Sequence, residues 1–169
     1  RRKSVALSAF HLFAGAGGGI LADKLLGHRT VGAVEIESYP RKVLLARQLD
    51  GSLPAFPIWD DVTTFRSDNP ATASYIQWLR ERSGELVICG GFPCQDLSFA
   101  GKGQGLEGRR SGLYREVIRL ARDLRPKFIL LENVAALLDR GLGVVLGDLA
   151  EIGYDAEWHC IPASYIGAW

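Results

Sequence analysis

The feature that most constrains the fold is the regular alternation of short apolar runs with segments in which apolar residues recur at helical spacing. The apolar runs predict strands over residues 5–13, 31–36, 86–89, 127–131 and, last, 154–161. The segments between them predict helices over residues 20–26, 40–49, 71–82, 113–124 and 142–152. This order predicts an α/β fold with a mostly parallel sheet and helices on both of its faces. Ligands of such folds bind at the carboxyl ends of the strands, so the loops that follow the strands form the candidate site.

The composition is that of an ordinary globular domain. The 169 residues suit one domain, and 20 basic against 19 acidic side chains give a formal net charge of +1, which does not by itself indicate nucleic acid. Cys89, Cys94 and Cys160 form no CxxC pair, which predicts no metal site and a reducing, cytosolic setting. No apolar run approaches the ~20 residues that a membrane span requires. Basic residues 1–3 before an apolar run resemble a secretion signal, but the glycines that follow favour a strand and a turn.

A glycine-rich turn follows the first predicted strand. The segment Phe13-Ala14-Gly15-Ala16-Gly17-Gly18-Gly19 lets a ligand approach the backbone, and the helix after it offers free N–H groups. Glu35 ends the second predicted strand, where a carboxylate can accept hydrogen bonds from both ribose hydroxyls. Together they predict a site for a nucleoside-containing cofactor. Because Ile20 replaces the last glycine of GxGxxG, a plain tight turn explains the turn alone equally well.

Cys94 lies in the segment Gly90-Gly91-Phe92-Pro93-Cys94-Gln95, at the start of a glycine-rich stretch, residues 92–112, that has no periodicity. A loop of this length in a compact domain is usually functional or disordered. A cysteine held there as a thiolate would be a strong nucleophile. The alternative is a small buried side chain, the usual role of an isolated cysteine. We accept that alternative for Cys89 and Cys160, which lie within predicted strands.

Glu132 comes directly after the apolar run 128–131 and is followed by Asn133. We expect burial at this strand end to raise the pKa of the carboxyl group and let it act as a proton donor. The alternative is a helix start capped by Asn133, which the local sequence favours equally.

In combination, the segments FAGAGGG, Glu35, GGFPCQ and LLENV resemble the DNA (cytosine-5) methyltransferase family in order and spacing, from about residue 11 to residue 167. Phe-Pro-Cys-Gln and Glu-Asn-Val carry most of this specificity. The resemblance implies a Rossmann-like methyltransferase fold, S-adenosylmethionine as cofactor with S-adenosylhomocysteine as product, and double-stranded DNA as partner. It implies neither a metal nor a membrane.

The resemblance also implies catalytic and DNA-binding residues. Cys94 matches the nucleophile that adds to carbon 6 of a flipped-out cytosine. Glu132 matches the carboxyl group that holds and protonates the ring at N3, and Asn133 and Gln95 complete the catalytic set. Four residues lie in what resembles the mobile catalytic loop and would contact DNA, although exposed arginines are often merely solvated: Ser98, Gln104, Arg109 and Arg110.

The cofactor site implied by the resemblance is spread over several loops. Glu35 matches the ribose ligand and Ile36 the residue that packs on adenine. Asp61 matches the acid that binds the adenine amino group, with Asp60 as a less favoured substitute. The other residues implied are Phe13, Ala14, Gly15, Gly17, Gly18, Gly91, Phe92 and Pro93.

The sequence departs from the family at two places. His11 stands where many members carry Asp, and we expect only a small effect. The family continues beyond residues 165–167 with a basic strand, a target-recognition domain and a final helix, which this sequence lacks. We therefore expect residues 1–169 to form a partial catalytic and cofactor-binding domain that needs a complementing C-terminal segment or subunit. The expected setting is the cytoplasm of a bacterium or the host of a phage, at the nucleoid.

Two other functions stay open. The same fold could serve as a non-catalytic module that binds DNA, cofactor or a partner, which the missing part favours and the intact Cys94 and Glu132 disfavour. A nicotinamide-dependent oxidoreductase would use the glycine turn and Glu35. It leaves Phe-Pro-Cys-Gln and Glu-Asn-Val unexplained.

Overall fold

Strands and helices alternate along residues 6–93 and 112–167, the part of the chain that this computed structural model describes. The strands are β1 (Ser8–Leu12), β2 (Arg29–Val34), β3 (Ile58–Trp59), β4 (Leu86–Gly90) and β5 (Phe128–Leu131). The helices are α1 (Gly18–Leu26), α2 (Ser38–Leu49), α3 (Ala73–Arg80), α4 (Leu113–Leu124), α5 (Leu137–Arg140) and α6 (Leu142–Glu151), followed by a 3-10 helix (Ala163–Ile166). The predicted α/β fold is confirmed.

The five strands form one sheet in the order β3-β2-β1-β4-β5, and each neighbouring pair is parallel. In register, His11 of β1 lies between Ala33 of β2 and Cys89 of β4. All five residues of β1 are buried, as expected for a central strand covered on both faces. The winding direction reverses between β1 and β4, the position at which open parallel sheets bind ligands.

One face of the sheet is covered by α3 and α4. Phe10 and Leu12 of β1 and Ile88 of β4 belong to a buried cluster that also contains residues of both helices, among them Ile76 of α3 and Leu120 of α4. The apolar stripe of α4 continues on its other side into a second cluster with α6. This helix therefore joins the main core to the C-terminal part of the described chain.

The opposite face is covered by α1 and α2 over β1 and β2. Ile20 of α1 and Leu44 of α2 pack with Ala33 in a third buried cluster. Gly17 lets the two helices approach closely, because a Cβ there would lie 2.8 Å from Leu44 Cδ2. Gly17 also has a φ of 97°, in the left-handed region that favours glycine.

The helices predicted on both faces of the sheet are present, but the described helices leave one face of β5 open at the edge of the sheet. Ile129 and Leu131 pack against the clusters around α4, but Phe128 and Leu130, on the other face, are 50% and 63% exposed. The register places these two beside Val87 and Cys89 of β4, on the His11 face. None of the described helices covers that part of the face.

The strand predicted for residues 154–161 is wrong. Tyr154 and Ala156 pack against the cluster around α6, whereas Trp158 and Ile161 are exposed. An extended segment becomes a strand only when a neighbour takes its backbone hydrogen bonds. No strand pairs with this segment within the described residues.

Three short elements were not predicted: β3, α5 and the 3-10 helix. The segment 52–61, expected to be irregular because of Pro54 and Pro57, ends in the two-residue strand β3. Among the described helices, none has the length and apolar character needed to cross a bilayer.

Candidate cofactor and catalytic site

The parallel sheet brings the predicted site segments to one edge. The glycine turn follows β1, Glu35 follows β2, Asp61 lies beyond β3, residues 91–93 follow β4 and Glu132 follows β5. Because all strands run in one direction, their carboxyl ends lie side by side. Most of the predicted cofactor residues lie over β3, β2 and β1, whereas Gly91, Phe92 and Pro93 lie with the catalytic segment over β4 and β5.

The glycine turn has the open backbone that the sequence predicts. Phe13 and Gly15 both have a φ of 55°, which is unusual for the non-glycine Phe13. Ala14 N donates to Val34 O over 3.1 Å and Gly17 N donates to Ala14 O over 3.1 Å, so the turn folds back on itself. Helix α1 then begins at Gly18 without a side-chain cap. Its exposed first turn, Gly18 and Gly19, presents backbone N–H groups.

Glu35 joins the turns after β1 and β2. Its carboxylate accepts hydrogen bonds from Gly15 N at 2.7 Å and from Glu37 N at 2.8 Å. The side chain is only 7% exposed, so these two donors compensate the burial of its charge. Each oxygen keeps a further lone pair for a ribose hydroxyl. Arg41 Nη1 stabilises the backbone after β2 by donating to Glu35 O at 2.9 Å and to Ile36 O at 2.5 Å.

Ile36 and Asp61 lie beyond the ends of β2 and β3. Ile36 is 62% exposed, an available apolar surface beside Glu35. Asp61 is half-buried, and its Oδ1 accepts from the Thr63 backbone N at 2.9 Å and from Thr63 Oγ1 at 2.8 Å. Asp60 is exposed and accepts from Asp61 N at 2.8 Å. The hydrogen bonds described for Asp61 thus use one of its two carboxylate oxygens.

The loops after β4 and β5 contact each other. Glu132 N donates to Gly90 O at 3.1 Å, and a Cβ on Gly91 would lie 3.0 Å from Glu132 Oε2. Asn133 Nδ2 donates to Phe92 O at 3.3 Å. Two of the four residues predicted to be catalytic, Glu132 and Asn133, therefore lie against the backbone that leads into Cys94. Cys94, Gln95, Ser98, Gln104, Arg109 and Arg110 lie outside the described residues.

Two local expectations for this region are corrected. Glu132 is exposed and not buried, because it ends the edge strand β5, whose outer face the described helices leave open. Asn133 does not cap a helix, since α5 begins at Leu137 after Ala136. Its Oδ1 instead accepts from Val134 N at 2.9 Å. The Phe92 side chain is buried with its ring centroid 5.1 Å from that of Tyr114, so only its backbone can face a ligand.

The two described cysteines differ. Cys89 lies in β4, half-buried, and burial raises the pKa of its thiol to about 12, with a smaller contribution from the Asp23 carboxylate. The prediction that Cys89 lies inside a strand is confirmed, but its side chain is half-buried where full burial was expected. Cys160 is exposed on a segment that forms no strand, so its expected place in the core is wrong.

A buried polar cluster lies beneath the glycine turn, and the sequence alone does not reveal it. His11 Nε2 lies 2.6 Å from Asp23 Oδ2, and Thr30 Oγ1 donates to the same oxygen at 2.7 Å. All three residues are buried. The available signal is Asp23 itself, a charged residue in the apolar run that forms α1. Its partners come from two different strands, which a local pattern cannot identify.

Comparison with known proteins identifies first the fold class and then the family of this chain. The described fold is that of Rossmann-like methyltransferases. It superimposes with a TM-score of 0.61 on a prophage-encoded protein of E. coli described as a candidate DNA modification methyltransferase, at 23% identity, over 86% of this chain and 37% of that one. For the S. pombe Dnmt2 methyltransferase the TM-score is 0.57, at 15% identity, over 88% of this chain and 40% of that one.

The chain belongs to the C-5 cytosine-specific DNA methylase family, whose profile matches residues 7–168. It is 36% identical to Type II methyltransferase M.CviJI of Paramecium bursaria Chlorella virus IL3A over 93% of this chain and 38% of that protein. It is 34% identical to Type II methyltransferase M.Eco47II of E. coli over 86% of this chain and 31% of that protein. The chain thus spans about a third of the length of these relatives.

Proposed function

We propose that this chain provides the cofactor-binding and catalytic part of an enzyme that transfers a methyl group from S-adenosylmethionine to carbon 5 of cytosine in double-stranded DNA. The observation that carries the proposal is the contact between the loops after β4 and β5. It sets the Glu132 carboxylate against Gly91, three residues before Cys94, at the same sheet edge as the glycine turn and Glu35.

The described residues fit the proposed cofactor. Glu35 keeps free lone pairs for two ribose hydroxyls, and exposed Ile36 offers an apolar contact for the adenine ring. Asp61 keeps a carboxylate oxygen for the adenine amino group. In the glycine turn, the backbone at Ala14, Gly15 and Gly18 would contact the rest of the cofactor, and Gly17 would set the shape of the turn. Gly91 and Pro93 would contact the cofactor from the loop after β4. When bound, S-adenosylmethionine supplies an electrophilic methyl group.

The catalytic residues would activate the base. Carbon 5 of cytosine is too weak a nucleophile to accept a methyl group unaided. The Cys94 thiolate adds to carbon 6, and Glu132 donates a proton to N3, which converts the ring into an enamine with a reactive carbon 5. After methyl transfer, the carbon 5 proton passes to water and the cysteine leaves as a thiolate. The N3 proton returns to Glu132. Asn133 would hold the two loops together through its bond to Phe92 O.

The DNA must present the base outside the helix. A ring stacked in a duplex is closed to attack at carbon 6, so the cytosine is flipped out, at a cost of roughly a few kcal/mol. We assign Gln95, Ser98 and Gln104 to contacts around this base. Arg109 and Arg110 would bind the phosphates.

Activity would further require a complementing C-terminal segment or subunit. Three exposed leucines of α1 (Leu21, Leu25 and Leu26) and the exposed side chains of β5 (Phe128 and Leu130) form what we call the apolar surface. These side chains belong to elements on the His11 face of the sheet. Exposed apolar area of this kind marks interaction sites.

Since the relatives come from bacteria and a Chlorella virus, we propose a bacterial or phage setting, at the nucleoid.

Cofactor binding is tested first, by titration calorimetry of this chain with S-adenosylhomocysteine and with NAD. We expect binding of the former only, and a preference for NAD would refute the proposal in favour of an oxidoreductase.

Catalysis is tested by a covalent trap. DNA containing 5-fluorocytosine is incubated with S-adenosylmethionine, the chain and a complementing segment, and the adduct is mapped by mass spectrometry. We expect an adduct at Cys94 that is lost in Cys94→Ala and kept in Cys160→Ala, the exposed-cysteine control. Cofactor binding without an adduct would support the non-catalytic module, which the partial coverage of the relatives also allows.

A further inference from the structure

The buried cluster of His11, Asp23 and Thr30 joins three elements under the glycine turn. His11 lies on β1, Asp23 in the second turn of α1, and Thr30 on β2. The three side chains meet at one oxygen, Asp23 Oδ2, at 2.6 Å from His11 Nε2 and 2.7 Å from Thr30 Oγ1. The mechanism proposed above uses none of them.

The chemistry of the cluster fixes its hydrogen bonds. A carboxylate only accepts, so the Thr30 hydroxyl and the His11 Nε2–H both donate to Asp23. A buried carboxylate is tolerated only with such partners, so these two hydrogen bonds stabilise Asp23 in the interior. The pairing therefore fixes how α1 sits on β1 and β2.

The other edge of the His11 ring reaches the glycine turn. A Cβ on Gly19 would lie 3.1 Å from both Cε1 and Nδ1 of His11, so the ring lies directly beneath the first turn of α1. His11 is also two residues before Phe13, where the chain leaves β1 with a φ of 55°. One imidazole thus contacts α1 at its first turn through Gly19 and at its second turn through Asp23.

We propose that His11 and Asp23, supported by Thr30, are positioning residues that hold the glycine turn in its cofactor-binding geometry. This inference rests on the proposed function. The hydrogen bond between His11 and Asp23 holds α1 against β1. The position of α1 in turn determines where the glycine turn places Gly15 N, which donates to the Glu35 carboxylate at 2.7 Å. The residues act through the turn and do not touch the cofactor.

The experiment compares variants of the full chain by amide hydrogen exchange and by calorimetry with S-adenosylhomocysteine. His11→Leu removes the donor to Asp23, while His11→Gln keeps an N–H that can reach it. Thr30→Val is a milder, nearly isosteric loss for use if His11→Leu does not fold. Ser8→Ala is the matched control, since it removes a side-chain hydrogen bond of 3.1 Å to Glu85 at the far end of β1.

We expect His11→Leu to accelerate exchange at Gly15 and Gly17 by about tenfold relative to the β4 amides, and to weaken S-adenosylhomocysteine binding by about tenfold. Thr30→Val should have a smaller effect of the same kind. His11→Gln should restore both values, and Ser8→Ala should change neither the exchange ratio nor the affinity. A role in overall stability alone would accelerate the β4 amides to the same extent.

Two results would overturn the inference while leaving the proposed function intact. One is a wild-type chain that binds the ligand and a folded His11→Leu variant that binds it equally well. The other is faster exchange spread evenly over the sheet and the turn. Failure of the wild-type chain to bind S-adenosylhomocysteine would instead refute the cofactor proposal itself.

Discussion

At the scale of single residues, Glu35 is the side chain that links two loops of the candidate site by hydrogen bonds. One buried carboxylate accepts from the turn after β1 and from the turn after β2, so it orders both loops of the candidate cofactor site. Such preorganisation lowers the ordering cost of binding. A residue that looks like a simple ligand in the sequence is also a structural link between two loops.

We expect Glu35→Gln to weaken S-adenosylhomocysteine binding by about tenfold or more, because an amide offers one acceptor oxygen where two N–H donors converge. Titration calorimetry measures the loss. Glu37→Gln is the control, since Glu37 is exposed in the same turn and contributes its backbone N–H to Glu35. Equal affinity of Glu35→Gln and wild type would contradict the role given to Glu35.

Cys89 gives a pH dependence with a defined sign. Burial raises the pKa of its thiol from the ordinary 9.0 to about 12, so the folded state keeps the proton that the unfolded state releases first. The contribution of Cys89 to stability is therefore complete below pH 9 and is lost as pH rises from 9 towards 12. Urea titrations across this range should show a shallower loss of stability in Cys89→Ala. An identical slope in both proteins would count against the shift.

At the scale of elements, two glycines at the start of α1 have different structural roles. Gly17 has a φ of 97° and faces Leu44, whereas Gly18 has no neighbouring atom within 4 Å of an added Cβ. We expect Gly17→Ala to lower the free energy of unfolding by about 1–3 kcal/mol. Gly18→Ala, within the helix, should leave it unchanged or raise it by up to about 1 kcal/mol. Urea denaturation measures both, and similar values for the two variants would contradict the assignment.

The elements that the sequence predicts correctly are those that local apolar patterns determine. β1, β2, β4 and β5 appear as apolar runs because the sheet is parallel and largely buried. The strand expected at 154–161 fails because strand formation needs a partner elsewhere in the chain. β3 has only two residues, too few for a period to show. The sequence does not reveal the His11–Asp23 pair either, because its members meet through tertiary packing and have no characteristic spacing along the chain.

At the scale of the whole molecule, the described residues define the cofactor side of the candidate site more fully than its catalytic side. Glu35 links the loops over β1 and β2 by hydrogen bonds, and Asp61 is bonded to Thr63 within the loop beyond β3, whereas Glu132 at the β5 edge is exposed. The part of the apolar surface on β5 lies at the same end of the sheet order as Glu132, whereas the part on α1 lies over β1 and β2. A segment that covered this surface would also enclose the catalytic edge. We therefore expect cofactor binding to depend less on a complementing segment than adduct formation does.

The apolar surface predicts how the isolated chain behaves in solution. Leu25 is 79% exposed and Leu130 is 63% exposed, so Leu25→Lys and Leu130→Lys should change the free energy of unfolding by no more than about 0.5 kcal/mol. They should reduce concentration-dependent self-association in light scattering, because charge prevents apolar surfaces from pairing. Leu49→Lys is the control, an equally exposed leucine, at 88%, at the end of α2 and outside the apolar surface. If all three variants associate like the wild type, the surface does not drive self-association. If only Leu49→Lys reduces it, the contact lies on α2 instead.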